Sequence, residues 1–67
     1  MQLNTDGITT NKISVIEQLA YKNKELVIVL QETRCTTADK LVVSNFSLAR
    51  SVLSRKHGLA TFVYERL

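Results

Sequence analysis

Apolar residues recur at helical spacing over positions 11–23. Ile13, Ile16, Leu19 and Ala20 fall on one side, and Lys12, Glu17, Gln18 and Lys22 on the others. The spacing predicts an amphipathic helix. Thr10 or Asn11 can cap its start through a side-chain oxygen, while Lys22, Asn23 and Lys24 suit the negative end of the helix dipole and a left-handed cap. Positions 26–30, Leu-Val-Ile-Val-Leu, form instead an unbroken β-branched run bounded by charge, the pattern of a strand buried on both faces of a parallel sheet. Ahead of the helix, positions 1–4 give a brief first strand, closed by the Asp6-Gly7 turn signal. Strand, helix and buried strand make a βαβ unit, its two strands parallel and adjacent.

The second half is less regular. Positions 36–40 are polar and predict a loop, and 41–43 a short strand or a packed stretch. Over 46–57 two patterns compete. Leu48, Ala49, Val52 and Leu53 with Gly58 as C-cap fit a helix, whereas Phe46, Leu48 and Val52 fit a strand entering a turn at 55–58. Periodicity alone favours the helix. Positions 59–64, with Thr61, Phe62 and Val63, predict a strand.

Sixty-seven residues allow one small domain, and a hydrophobic content of 45% makes it globular rather than disordered. The net charge of +3 is compatible with a phosphate-bearing partner without demanding one. Cys35 is the single cysteine, so neither an intrachain disulfide nor a cysteine-based zinc site is expected, and a reducing compartment is the natural setting. The longest apolar run, 26–30, is far below the ~20 residues that span a bilayer. No signal peptide opens the chain. An intracellular protein without membrane association is expected.

Open α/β sheets place their sites beyond the carboxyl ends of the strands. Asn4 and Glu32 hold those positions after the first and second strands. A carboxylate there is a hard oxygen ligand suited to Mg²⁺, which takes one or two carboxylates with water and phosphate oxygens. The plainer reading of Glu32 is a solvated residue or the cap of the next turn.

Leu30-Gln31-Glu32-Thr33-Arg34 resembles the LQE-T-(H/K/R) motif of the endonuclease/exonuclease/phosphatase superfamily, in which the Glu binds the catalytic divalent metal. Gln2-Leu3-Asn4-Thr5-Asp6-Gly7-Ile8 resembles that superfamily's first-strand pattern, W-N-x-(N/D)-G-(L/I). Cys35 to Leu41 and the stretch His57-Gly58-Leu59-Ala60-Thr61-Phe62-Val63 are similar to the endonucleases of non-LTR retrotransposons, and this favours strands over 46–63. The resemblance covers nearly the whole chain. Leu3 stands where the family commonly has Trp, and Arg34 where many retrotransposon members have His.

The resemblance implies the N-terminal βαβ-β-β portion of a two-sheet, DNase-I-like α/β sandwich, with residues 1–67 forming one partial domain. It implies catalytic roles for Asn4 and Glu32, metal contacts from Glu32 and Asp6, nucleic-acid binding by Arg34, and Mg²⁺ as cofactor with Mn²⁺ as a substitute. DNA would be the partner, through the parent domain, and the location nuclear if genomic DNA is cut, otherwise cytoplasmic. The family's later Asp/Asn and Asp/His groups, which orient and activate water, lie beyond this chain, so inactivity alone is expected. Missing its second sheet, the piece would self-associate through exposed strand edges.

Two alternatives stand beside that reading: a non-catalytic remnant acting as a small interaction protein, and a weak nucleic-acid binder using Arg34, Arg55 and Lys56. His57 sits in a basic, turn-like cluster and reads as a solvated loop residue. Cys35 reads as inert.

Overall fold

The helix begins one residue before its expected start. In a computed structural model, which describes residues 1–66, helix α1 spans Thr10–Lys22 and its cap is Thr9, not Thr10 or Asn11. Thr9 is extended (φ −132°, ψ 162°) and its side chain accepts from the Lys12 amide at 3.1 Å, as an N-cap must. At the other end the left-handed residue is Lys24 (φ +53°), after the C-cap Asn23. The Glu25 amide donates to Ala20 O at 2.9 Å and that of Lys24 to Tyr21 O at 3.2 Å, the paired closure of a Schellman motif.

Four strands form one mixed sheet: β1 Gln2–Asn4, β2 Val27–Gln31, β3 Phe46–Val52 and β4 Leu59–Tyr64, in the order β1-β2-β4-β3. The β1 and β2 strands are parallel neighbours, with Asn4 opposite Gln31. β4 lies antiparallel on the far side of β2, and β3 antiparallel beyond it.

Register decides which face is covered. Ile28 lies opposite Phe62 and Leu30 opposite Ala60, and all four are fully buried. They meet Ile16 and Ala20 of α1 together with Ile8, Leu41 and Val43. Residues 41–43 are thus a packed stretch rather than a strand, with Val42 facing out and the Ser44 amide tied to Glu17 Oε2 at 2.6 Å. Leu19, expected on the apolar face of α1, stays partly exposed and with Val15 borders an apolar groove of about 370 Å³ between α1 and edge strand β1.

The expectation that β2 is buried on both faces is not met. Its burial alternates, with Val27 still 42% exposed, because α1 and the 35–45 segment cover only one side of the sheet. The helical reading of 46–57 also fails. A β-bulge between Leu48 and Arg50 inserts one residue, so the period-two pattern slips midway through β3 and imitates helical spacing. The strand is fixed by its partner instead: Phe46 stacks edge-on against Tyr64, centroids 5.4 Å apart.

No helix among the described residues is long and apolar enough to cross a membrane.

Candidate functional site at the sheet rim

Parallel pairing of β1 with β2 carries the residues after both strands to one end of the sheet. The backbone there is stitched tightly. Thr5 donates its amide to Gln31 O at 2.8 Å, Gly7 to Glu32 O at 2.7 Å, and Ile8 to Thr33 O at 3.0 Å. The buried Thr5 hydroxyl also reaches Gln31 O and Glu32 O, each at 3.0 Å. From the other flank, the first turn of α1 sends Lys12 Nζ back to the carbonyls of Thr5, Asp6 and Gly7 at 2.7, 3.2 and 3.0 Å.

These bonds hold a backbone that ordinary residues avoid. Asp6, Glu32 and Arg34 all have positive φ, between +49° and +56°, in the left-handed region. Such conformations cost on the order of 1–3 kcal/mol each, persist only where surroundings over-determine them, and gather at functional sites. Here they turn three charged side chains outward along one rim.

The four residues expected at the site are brought together. Arg34 bridges two carboxylates: its Nη2 lies 2.9 Å from Asp6 Oδ1 and its Nε 4.0 Å from Glu32 Oε2. Asn4 Oδ1 accepts from the Asp6 amide at 3.1 Å, which shapes the turn, and its side-chain NH₂ has no hydrogen-bond partner among the described residues. Glu32 is 30% exposed and Asp6 76%, so both stay open to solvent and to a ligand, and their pairing with Arg34 adds little stability.

One participant was not expected. His57 is 75% exposed, as a solvated loop residue should be, yet its Nδ1 lies 3.2 Å from Glu32 Oε2 and 3.3 Å from Oε1. The antiparallel β2–β4 register explains it: Gln31 is opposite Leu59, so the residues before β4 fall opposite those after β2. The Arg34 amide donates to His57 O, and the Thr33 amide to Gly58 O at 3.4 Å. The signal available in the sequence was Gly58 itself, a turn residue (φ +97°) between a basic cluster and a strand. Lys12 was read only as part of the helix's polar side.

Among the described residues no group of three or more His, Cys, Asp and Glu side chains is placed to hold a metal together. Mg²⁺ needs no such cage, being bound through one or two carboxylates with water and phosphate oxygens. Glu32 and Asp6 are oxygen donors of that kind, and Arg34 pairs with both. Zinc, which favours closed nitrogen and sulfur shells, is not matched.

Removing the Lys12 ammonium should loosen this rim. Charged hydrogen bonds to carbonyls contribute more than neutral ones, so Lys12→Met is expected to lower stability by about 1 kcal/mol in urea unfolding. The amide resonances of Asp6 and Gly7 should shift while those of β3 do not.

No known protein-family model matches the chain, and no curated protein is significantly similar to it.

Proposed function

We propose that this chain carries the metal- and phosphate-facing rim of a Mg²⁺-dependent DNA endonuclease domain of the DNase-I-like, endonuclease/exonuclease/phosphatase type, resembling those of non-LTR retrotransposons. One observation supports it above the rest. Asn4, Asp6, Glu32 and Arg34, scattered between the first strand and the loop after the second, share one edge on a strained and heavily hydrogen-bonded backbone. That is where ligands gather in open α/β sheets.

In this reading Glu32 and Asp6 hold the ion, Asn4 orients a phosphate oxygen through its free NH₂, and Arg34 offsets phosphate charge while keeping the two carboxylates in place. A divalent ion bound there supplies Lewis-acid polarisation of the phosphoryl group. His57 keeps the Glu32 carboxylate oriented. Hydrolysis also requires a positioned nucleophile, and groups that act as a unit fail together. The chain by itself is therefore expected to bind Mg²⁺ and leave DNA uncut.

Calorimetric titration with Mg²⁺ tests this. A single weak site is expected, with affinity on the order of millimolar for one or two carboxylates, weakened at least about tenfold in Glu32→Gln. Supercoiled plasmid should stay intact with either protein. Mg²⁺ affinity that ignores the Glu32→Gln change would remove the basis of the proposal.

The rival reading, a small interaction protein, is favoured by a different observation: the sheet face away from α1 leaves Val27 and Val52 about half exposed, and β1 and β3 are both edge strands.

A further inference from the structure

Behind the rim lies a separate cavity of about 180 Å³, walled by the turn at Gly7, the loop after β2, and Lys40. Its lining is polar. Arg34 and Lys40 contribute two cations, and Thr33, Thr36 and Thr37 belong to the same wall. Among the described residues neither Asp nor Glu lines it, although two carboxylates flank Arg34 just outside.

Each component narrows the occupant. Lys40, with Arg34 at the border, favours an anion over a metal ion in this cavity and leaves a neutral guest without compensation for displacing water. Thr hydroxyls, a guanidinium and an ammonium are the donor types that recognise an oxyanion, and residues carrying all three line this one cavity. Lys40 forms no ion pair among the described residues, so its charge is not spent on the protein. Arg34 is held by Asp6 and Glu32 at the border of the cavity, and a guanidinium has N–H groups to spare after two such contacts. The two walls are also fixed to one another, Ile8 N to Thr33 O at 3.0 Å and Gly7 N to Glu32 O at 2.7 Å, so little ordering would accompany binding.

We infer that this cavity is a seat for a phosphate oxyanion, centred on Lys40, Thr36 and Thr37 with Arg34 at its inner edge. The oxyanion can come from free phosphate or from a nucleic-acid backbone. Only the second source rests on the nuclease reading, in which the seat would take a phosphate neighbouring the one at Glu32.

Amide-resolved NMR titrations at constant ionic strength, one with inorganic phosphate and one with a short oligothymidylate, test the inference. Saturable shifts at Gly7, Thr36 and Thr37 are expected. Lys40→Glu, at an exposed position, should weaken binding at least about tenfold, since it replaces a charged hydrogen bond by repulsion. Thr37→Val should weaken it less. A response to phosphate alone identifies a free-anion seat, and a response to the oligonucleotide a backbone seat. Both must be lost in Lys40→Glu. Glu32→Gln, which should weaken Mg²⁺ binding at least about tenfold, removes a negative charge beside Arg34 and should not weaken phosphate binding, so the metal site and the anion seat can fail separately. Absence of saturable shifts with either probe, or shifts that persist unchanged in Lys40→Glu, overturns the inference.

Discussion

Replacing Gly58 by Ala is expected to leave the protein largely unfolded at 37 °C. Gly58 has φ +97°, where an L residue is strained, at a cost of roughly 1–3 kcal/mol. Space is the second difficulty. A Cβ there would overlap Thr33 Oγ1 and sit 3.1 Å from the Arg34 amide nitrogen and 3.3 Å from Val52 O. Thr33 is 1% exposed, so its side chain has no solvent-facing space into which to move. Overpacking of this kind costs about another 1–3 kcal/mol. A core in a chain this short rarely supplies more than ~3–5 kcal/mol in total. Thermal unfolding should therefore shift down by roughly 15 °C or more, at ~4–8 °C per kcal/mol for this size. Gly7→Ala is the matched control: φ is +90° but nothing lies within 4 Å, so only the backbone term is lost. Equal melting temperatures for the two variants would show that Gly58 is not the tight joint described here.

Phe62→Ala should have a comparable effect for a different reason. Phe62 is the largest fully buried side chain among the described residues and belongs to the apolar layer between the sheet and α1. Truncating a buried Phe costs about 3–5 kcal/mol, from lost transfer energy and the cavity left behind. That equals the whole stability expected for one small core. Circular dichroism should show loss of the cooperative transition, with Phe62→Leu retaining it. Tyr21→Ser is the contrast, since Tyr21 is 86% exposed and its loss should go nearly unnoticed. A cooperative Phe62→Ala protein would mean that the opposite sheet face, with Val27, Val29 and Val63, carries more of the stability than its exposure allows.

The elements that sequence patterning located well are those whose partners are local. Helix α1 and strands β2 and β4 follow from spacing and composition, and their ends fall within one residue of expectation because caps and turns are short-range chemistry. Strand β3 was obscured because its identity depends on β4. The bulge near Arg50 can be recognised only once Leu48 is set against Phe62 and Arg50 against Thr61. The one-sided burial of β2 was equally invisible, since an apolar run does not say how many layers cover it. At the rim, Asn4 and Glu32 could be named because they lie at strand ends, whereas Asp6 and Arg34 came only from the motif resemblance. His57 could not: its approach to Glu32 follows from antiparallel pairing across a long loop, and Lys12 reaches its three carbonyls only because α1 begins so close to β1.

Paramagnetic broadening by Mn²⁺, a substitute for Mg²⁺ at hard oxygen sites, tests the shared rim most directly, because it reports where the ion sits without requiring catalysis. At substoichiometric Mn²⁺ the amide signals of Asp6, Gly7, Glu32 and Thr33 should fade first and together, and Glu32→Gln should restore them. Broadening centred on Asp39 or Glu65, or a pattern that Glu32→Gln leaves untouched, would contradict a metal-holding edge built from the ends of β1 and β2.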